Sequence, residues 1–302
     1  MQVILPSTVS DSVLVSTTVP EADFPVWNPA TTYVIGNKVI RTTTHKIYES
    51  LTGGVDASLP EDSTAGPTPK WLDLGYTNRW ALFDDEVGSL TTATTSMTYV
   101  LSPGLFSGVS LLELAAEQVR VIVRDGPGGV TLYDKTYTLD GSLIDGFYSW
   151  FFEPYSGLTS LSVTDLPVGY WTPELEIIIS GTGTVACGVL KLGSLIQLGA
   201  TQYGASLGII SYSRKETNAF GRVTIVPRRF AKKLDVKLMS DNSNLTRIYD
   251  TLAKLKDTPC VWIGSNCAGF ESLTLYGFYK DFSIDVAYPT INYCTLSVEG
   301  LI

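Results

Sequence analysis

The stretch VRVIVRDGPGGVTLYDKTYTL, residues 119–139, decides the fold class. Polar and apolar residues alternate on both sides of a Gly-rich turn. Alternation with a period of two sends successive side chains to opposite faces of a strand, so the stretch reads as a β-hairpin with one face toward a core. Working outward, the pattern continues through SWFFEPY (149–155), LSVTDLP (161–167), PELEIIISG (173–181) and VACGVLKLGSLIQLG (185–199). Short strands at regular spacing with turn residues between them indicate a β-sandwich of jelly-roll type over residues 78–200. The one helix candidate in this part is SLLELAAEQ, 110–118.

Composition agrees with a mainly β chain. Thr, Ser, Gly, Val and Tyr recur throughout, and only 17% of the 302 residues are charged. The net charge of −9 is unevenly spread. Between Ser211 and Ser240 there are eight basic residues, Arg214, Lys215, Arg222, Arg228, Arg229, Lys232, Lys233 and Lys237, against Glu216 and Asp235. An acidic body with one basic segment argues against general binding to nucleic acid or an anionic membrane. The reading favours a subunit interface for Arg214, Lys215, Arg228, Arg229, Lys232 and Lys233, complementing an acidic surface on this chain or a partner.

Upstream of the sandwich, residues 24–77 form a turn-rich unit. TYVIGNKVIR reads as strand, Gly-Asn turn, strand, and HKIYESL as a further strand, a small three-stranded domain in all. So small a unit buries little, and Trp27, Tyr33, Tyr48 and Trp71 are expected to supply most of its core. Residues 1–23 lack periodicity and contain Pro6 and Pro20. They read as an extended arm ordered by a neighbour in the same or another chain. Downstream, residues 201–302 read as a β-rich α+β assembly domain. Its helix, near 243–256, places Leu245, Ile248, Leu252 and Leu255 on one face.

Catalytic chemistry finds little footing. His45 is the only histidine, so any Ser–His or Cys–His system would depend on it, and it reads as a solvated strand residue. Asp84, Asp85 and Glu86 read as an exposed acidic turn, with a calcium site as the sharper alternative. Glu153, Asp165, Glu174 and Glu176 are the carboxylates that a glycan-cleaving pair would draw on. Cys187, Cys260, Cys267 and Cys294 lack metal-ligand spacing. They read as buried thiols, with a Cys260–Cys267 bridge as the alternative. The expectation is a non-enzyme without metal or cofactor. The N-terminal residues lack a positive region before an apolar stretch, and no run of 18 apolar residues exists, so neither a secretory signal nor membrane insertion is expected.

Two resemblances add to this reading. Trp27, Tyr33, Gly36, Val39, Tyr48, Pro60, Trp71 and Gly75 follow the order and spacing of family 5/12 carbohydrate-binding modules. The resemblance implies the module's fold, and makes Trp27, Tyr33, Tyr48 and Trp71 candidate glycan contacts. It departs at Glu49–Gly53, where such modules carry an aromatic pair and this chain has none. Over most of the chain, TNRWALFDD (77–85), LSPGLFSGVSLL, SWFFEPY, VTDLP, YSRKETNAFGRVTIVPRRFAKKLDVKL and LYGFYKDFSIDVAYPTINYCTLSVEGL together resemble tail proteins of double-stranded-DNA bacteriophages. Those are tail-tip or baseplate components that carry receptor-binding proteins. The resemblance implies a galactose-binding-like sandwich, assembly in the bacterial cytoplasm, placement in the virion tail, and symmetric copies bound to other tail subunits or a receptor-binding fibre. A carbohydrate-binding adhesin for host glycan is the alternative, and a glycan-degrading enzyme the second.

Overall fold

The computed structural model describes residues 1–142, 146–152, 157–217, 220–267, 269–286 and 288–301. The hairpin that decided the fold class is present. Gln118–Arg124 pairs antiparallel with Thr131–Thr138, and the register shifts once at Val123/Arg124. Val119, Val121 and Val123 are fully buried on its inner face, while Arg120 pairs with Asp134 across the outer one. These strands belong to a five-stranded sheet with Glu174–Cys187, Thr91–Leu101 and Leu14–Thr17.

A ten-stranded antiparallel sheet is the backbone of the molecule. Its first three strands, Ser160–Val163, Gly108–Leu112 and Val189–Gln197, face the five-stranded sheet. Met97, Tyr99, Val121, Ile177, Val109, Leu111 and Leu192 fill the space between the two sheets, which gives the β-sandwich. The chain therefore is mainly β, with a sandwich followed by a β-rich part carrying one long helix, Leu245–Lys254. Ile248 and Leu252 of that helix, with Leu255 just after it, pack with Trp262, Leu234, Leu296 and Val298. SLLELAAEQ is not a helix: Gly108–Leu112 is a fully buried strand, and the chain bends before the next one. Its apolar run serves a strand covered on both faces, which mimics the spacing of a helix.

The N-terminal residues hold the largest correction to the domain reading. Gln2–Pro6 is a central strand of the large sheet, paired with Val189–Gln197 on one side and Cys260–Ile263 on the other. Alternation puts Val3 into the core under the helix and Ile4 into a cluster on the opposite face with Val189, Leu112, Val261, Ile263 and Tyr276. The arm is extended, and the neighbour that orders it is its own chain. It also joins the sandwich to the C-terminal part, so one sheet crosses the boundary expected near residue 200. Two glycines permit the close backbone approach. A Cβ at Gly193 would overlap the Leu5 carbonyl, and one at Gly277 would overlap that of Glu299.

Residues 24–77 contain the three-stranded sheet Lys38–Arg41, Lys46–Ser50 and Trp71–Tyr76. The Gly-Asn turn forms, with Gly36 at φ 87° and Asn37 N–H donating to the Val34 carbonyl. Its flanking strands do not pair with each other, however. Thr32–Tyr33 pairs with Gly54–Val55, and the real hairpin joins Lys38–Arg41 to Lys46–Ser50.

Candidate assembly interface

The four aromatics proposed as glycan contacts are the core of the small module. Trp27, Tyr33, Tyr48 and Trp71 are each at most 8% exposed and cluster with Val39. The Tyr33 and Trp71 rings meet edge to face at 5.2 Å. Tyr33 hydroxyl accepts from the Asn28 amide at 2.7 Å. Arg41 lies 5.0 Å over the Trp27 ring and is held by Glu61 at 3.0 Å. A sugar platform needs exposed rings, so these residues are not one. The physical reason is size: the module has few other large apolar side chains to bury. What it exposes instead is mainly aliphatic, chiefly Val34, Ile35, Val55, Leu72 and Leu74, with Tyr76 as an exposed ring.

His45 is not a solvated strand residue. It sits in the turn between two strands with φ 56°, stacked on Trp80 at 4.0 Å. Its Nε2 faces Asp11 at 3.1 Å and its Nδ1 faces Glu21 at 3.0 Å. Glu21 also accepts from Thr77 hydroxyl at 3.1 Å. The imidazole thus clamps the module to the junction stretch TNRWALFDD and to the N-terminal residues.

The acidic turn is a latch. Asp84 is buried, accepting from Ser89 hydroxyl at 2.7 Å and the Glu86 amide at 2.9 Å, and burial pushes its carboxyl above the usual range. The buried Lys191 ammonium donates to the Phe83 carbonyl (2.9 Å), the Asp84 carbonyl (2.8 Å) and Asp85 Oδ1 (2.9 Å). Tyr276 hydroxyl donates to the same Asp85 oxygen at 2.6 Å. Asp85 therefore ties the sandwich strand carrying Lys191 to the C-terminal strand carrying Tyr276. Among the described residues, no group of three or more His, Cys, Asp or Glu is placed to hold a metal.

The remaining candidates separate. Glu174 and Glu176 both bind Arg124, at 2.9 and 2.7 Å, one face of a cross-strand ion-pair triad. Asp165 accepts from Tyr133 hydroxyl at 3.0 Å. Glu153 lies outside the described residues. The cysteines are free: Cys187, Cys260 and Cys294 are buried and Cys267 is exposed, so no Cys260–Cys267 bridge forms. Burial pushes the Cys187 and Cys260 thiols up to about 12, which makes both unreactive.

The basic segment divides into a hairpin and its base. Arg214–Thr217 pairs with Val223–Val226, and every residue of both strands is exposed. Arg214 pairs with Glu216 of its own strand, at 3.0 Å. The ribbon also exposes Val223, Ile225 and Val226, so it presents apolar and basic side chains together. Arg228 and Arg229 follow it, before the strand Phe230–Asp241 begins. Arg229 donates to the Val87 carbonyl and rests against Gly88, where a Cβ would overlap its guanidinium. Lys232 is exposed, and Lys233 is held by Asp235 at 2.7 Å. Arg229, Phe230 and Lys232 border a cleft of about 670 Å³.

One surface escaped the sequence reading. SWFF (149–152) is not a strand but part of a short helix, Phe147–Phe152, and the remaining residues of SWFFEPY lie outside the described ones. Its rings point outward, with Phe147 87%, Tyr148 74%, Trp150 65%, Phe151 69% and Phe152 71% exposed. The available signal was the run FYSWFF itself, which lacks the polar alternation that the neighbouring strands show. No helix among the described residues is long and apolar enough to cross a membrane. No family model matches the chain, and no curated protein matches it.

Proposed function

We propose that the chain is a structural subunit of a bacteriophage tail tip or baseplate, bound to other tail subunits and connecting the tail to receptor-binding or host-contacting proteins. The observation that carries this reading is the ribbon of Arg214–Thr217 and Val223–Val226, both strands of which are exposed at every residue. An isolated two-stranded ribbon is marginal in water, and one that carries exposed Val223, Ile225 and Val226 beside arginine and lysine suits an acidic partner surface. The order of the tail-protein stretches along the sequence supports the same reading. The N-terminal residues do not, since their own chain orders them. In this reading the buried module is a structural spacer, and Glu174 and Glu176, shared by one arginine, take no part in catalysis.

The test is placement. Purified virions whose copy of this chain carries an epitope tag beside the exposed Phe220 are imaged by electron microscopy with a gold-labelled antibody. Label at the distal end of the tail is expected. Virions that lack the chain, or label on the capsid, would sink the proposal.

A further inference from the structure

The aromatic helix and the cleft of about 670 Å³ are large apolar features that neither the fold nor the proposed function uses. Burying an aromatic side chain withdraws about 150–250 Å². At the exposures seen in Phe147–Phe152, covering its five rings withdraws roughly 700 Å², close to the ~800 Å² per partner of a standard specific interface. Consecutive positions on a helix are about 100° apart, so the five rings fan over roughly 200° of its circumference. A flat partner would leave some of them wet, so the helix is shaped as a knob for a concave receiver.

The chain carries such a receiver. The cleft of about 670 Å³ opens between the sandwich and the C-terminal part, with Leu112, Val189 and Tyr276 in its lining and the half-exposed Leu90 and Phe230 at its edge. The charges correspond as well. Asp145 and Glu153 flank the helix in sequence, and no lysine or arginine occurs from 139 to 157. Arg229 and Lys232 border the cleft. Its one acid, Glu113, is engaged by the Gly88 amide at 2.8 Å. The same charges disfavour an anionic lipid surface, which attracts aromatic segments flanked by basic residues.

We infer that the aromatic helix of one copy inserts into the cleft of the next, a head-to-tail contact between identical chains. Such a contact closes into a ring when the rotation between copies permits and otherwise runs on as a filament. The inference rests on the surfaces alone and does not depend on the tail assignment: it is read from the mass of the purified chain, whereas the tail assignment is read from labelled virions.

The full chain and two variants are compared by sedimentation velocity, with circular dichroism to confirm folding. Trp150→Ser/Phe151→Ser removes the knob, and Leu90→Glu/Phe230→Glu repels it from the cleft. All four positions are exposed, so the fold is spared. The wild-type chain is expected to self-associate, and each variant to weaken association roughly 30-fold or more, the scale of a central aromatic anchor. Mixed in equal amounts, the two variants are expected to form a heterodimer through the one knob and one cleft left intact. A monomeric wild type, undiminished association of either variant, or a mixture that stays monomeric would each overturn the inference. So would sedimentation of the wild type with phosphatidylserine vesicles that the knob variant loses, which would assign the rings to lipid.

Discussion

Replacing Ile4 by Ala tests whether the strand Gln2–Pro6 joins the two halves of the molecule. Ile4 is fully buried and packs with Leu112 and Val189 from the sandwich side and with Val261, Ile263 and Tyr276 from the other. The change deletes three carbons, worth roughly 2.4 kcal/mol at about 0.8 kcal/mol for each buried methylene. Collapse is hindered because the flanking strands are held by continuous ladders, so a cavity term adds to this. The expected loss is about 3–4 kcal/mol, within the ~2–5 kcal/mol seen for such deletions. That is a large share of the ~5–15 kcal/mol that stabilises a typical domain. Urea unfolding followed by tryptophan fluorescence measures the loss. Amide exchange locates it: strands Val189–Gln197 and Cys260–Ile263 should lose protection together. Two independent transitions in the wild type, or faster exchange on one side only, would refute the argument that a single strand couples both halves.

Lys191→Met strands the Phe83 and Asp84 carbonyls. With each of the two unpaired buried groups costing about 1–3 kcal/mol, a drop of roughly 2–6 kcal/mol in the urea midpoint analysis is expected. His45→Ala removes the clamp on Glu21 and Trp80, so limited proteolysis should cut between the module and the sandwich several times faster while the isolated cores stay intact. Partial burial pushes the Glu61 carboxyl up, but the Arg41 hydrogen bonds outweigh it and hold it below its ordinary 4.5. A carboxyl lowered on folding contributes stability that is present above pH 4.5 and lost as pH falls through its folded value. Thermal melts should therefore show the acid sensitivity of the module reduced in Glu61→Gln, and an unchanged pH profile would refute that role. Trp27→Ala should unfold the module at a cost of about 3–5 kcal/mol, without changing glycan-array signals, which should be absent in both proteins.

Much of the fold was legible because two-residue periodicity survives in one sequence. The hairpin at 119–139, the strand runs after it and the amphipathic helix before Pro259 all carried their own local signal. The burial of Trp27, Tyr33, Tyr48 and Trp71 was legible too, from the arithmetic of a small core. What did not show was long-range pairing. Nothing in QVILP says that its partners lie about two hundred residues away, since five residues carry too little periodicity to announce a central strand. His45 was misread for a related reason: its role comes from Asp11, Glu21 and Trp80, which only the fold brings to it. Phe147–Phe152 was misread because an aromatic-rich run has high strand propensity, and a helix whose aromatic side chains are all exposed lacks the spacing that marks one.

The strand Gln2–Pro6 also sets an order in time. It leaves the ribosome long before Cys260–Ile263, and at roughly 5–20 residues per second it waits on the order of 13–50 s for that partner. Until Val189–Gln197 emerges both of its edges are open, and one edge stays open to any free strand, including that of a neighbouring copy on the same message, until Cys260–Ile263 follows. Co-translational domain-by-domain folding is thus closed to this chain at its centre: the sandwich side can collapse early, but the sheet that joins both halves is completed only after Cys260–Ile263 has been made.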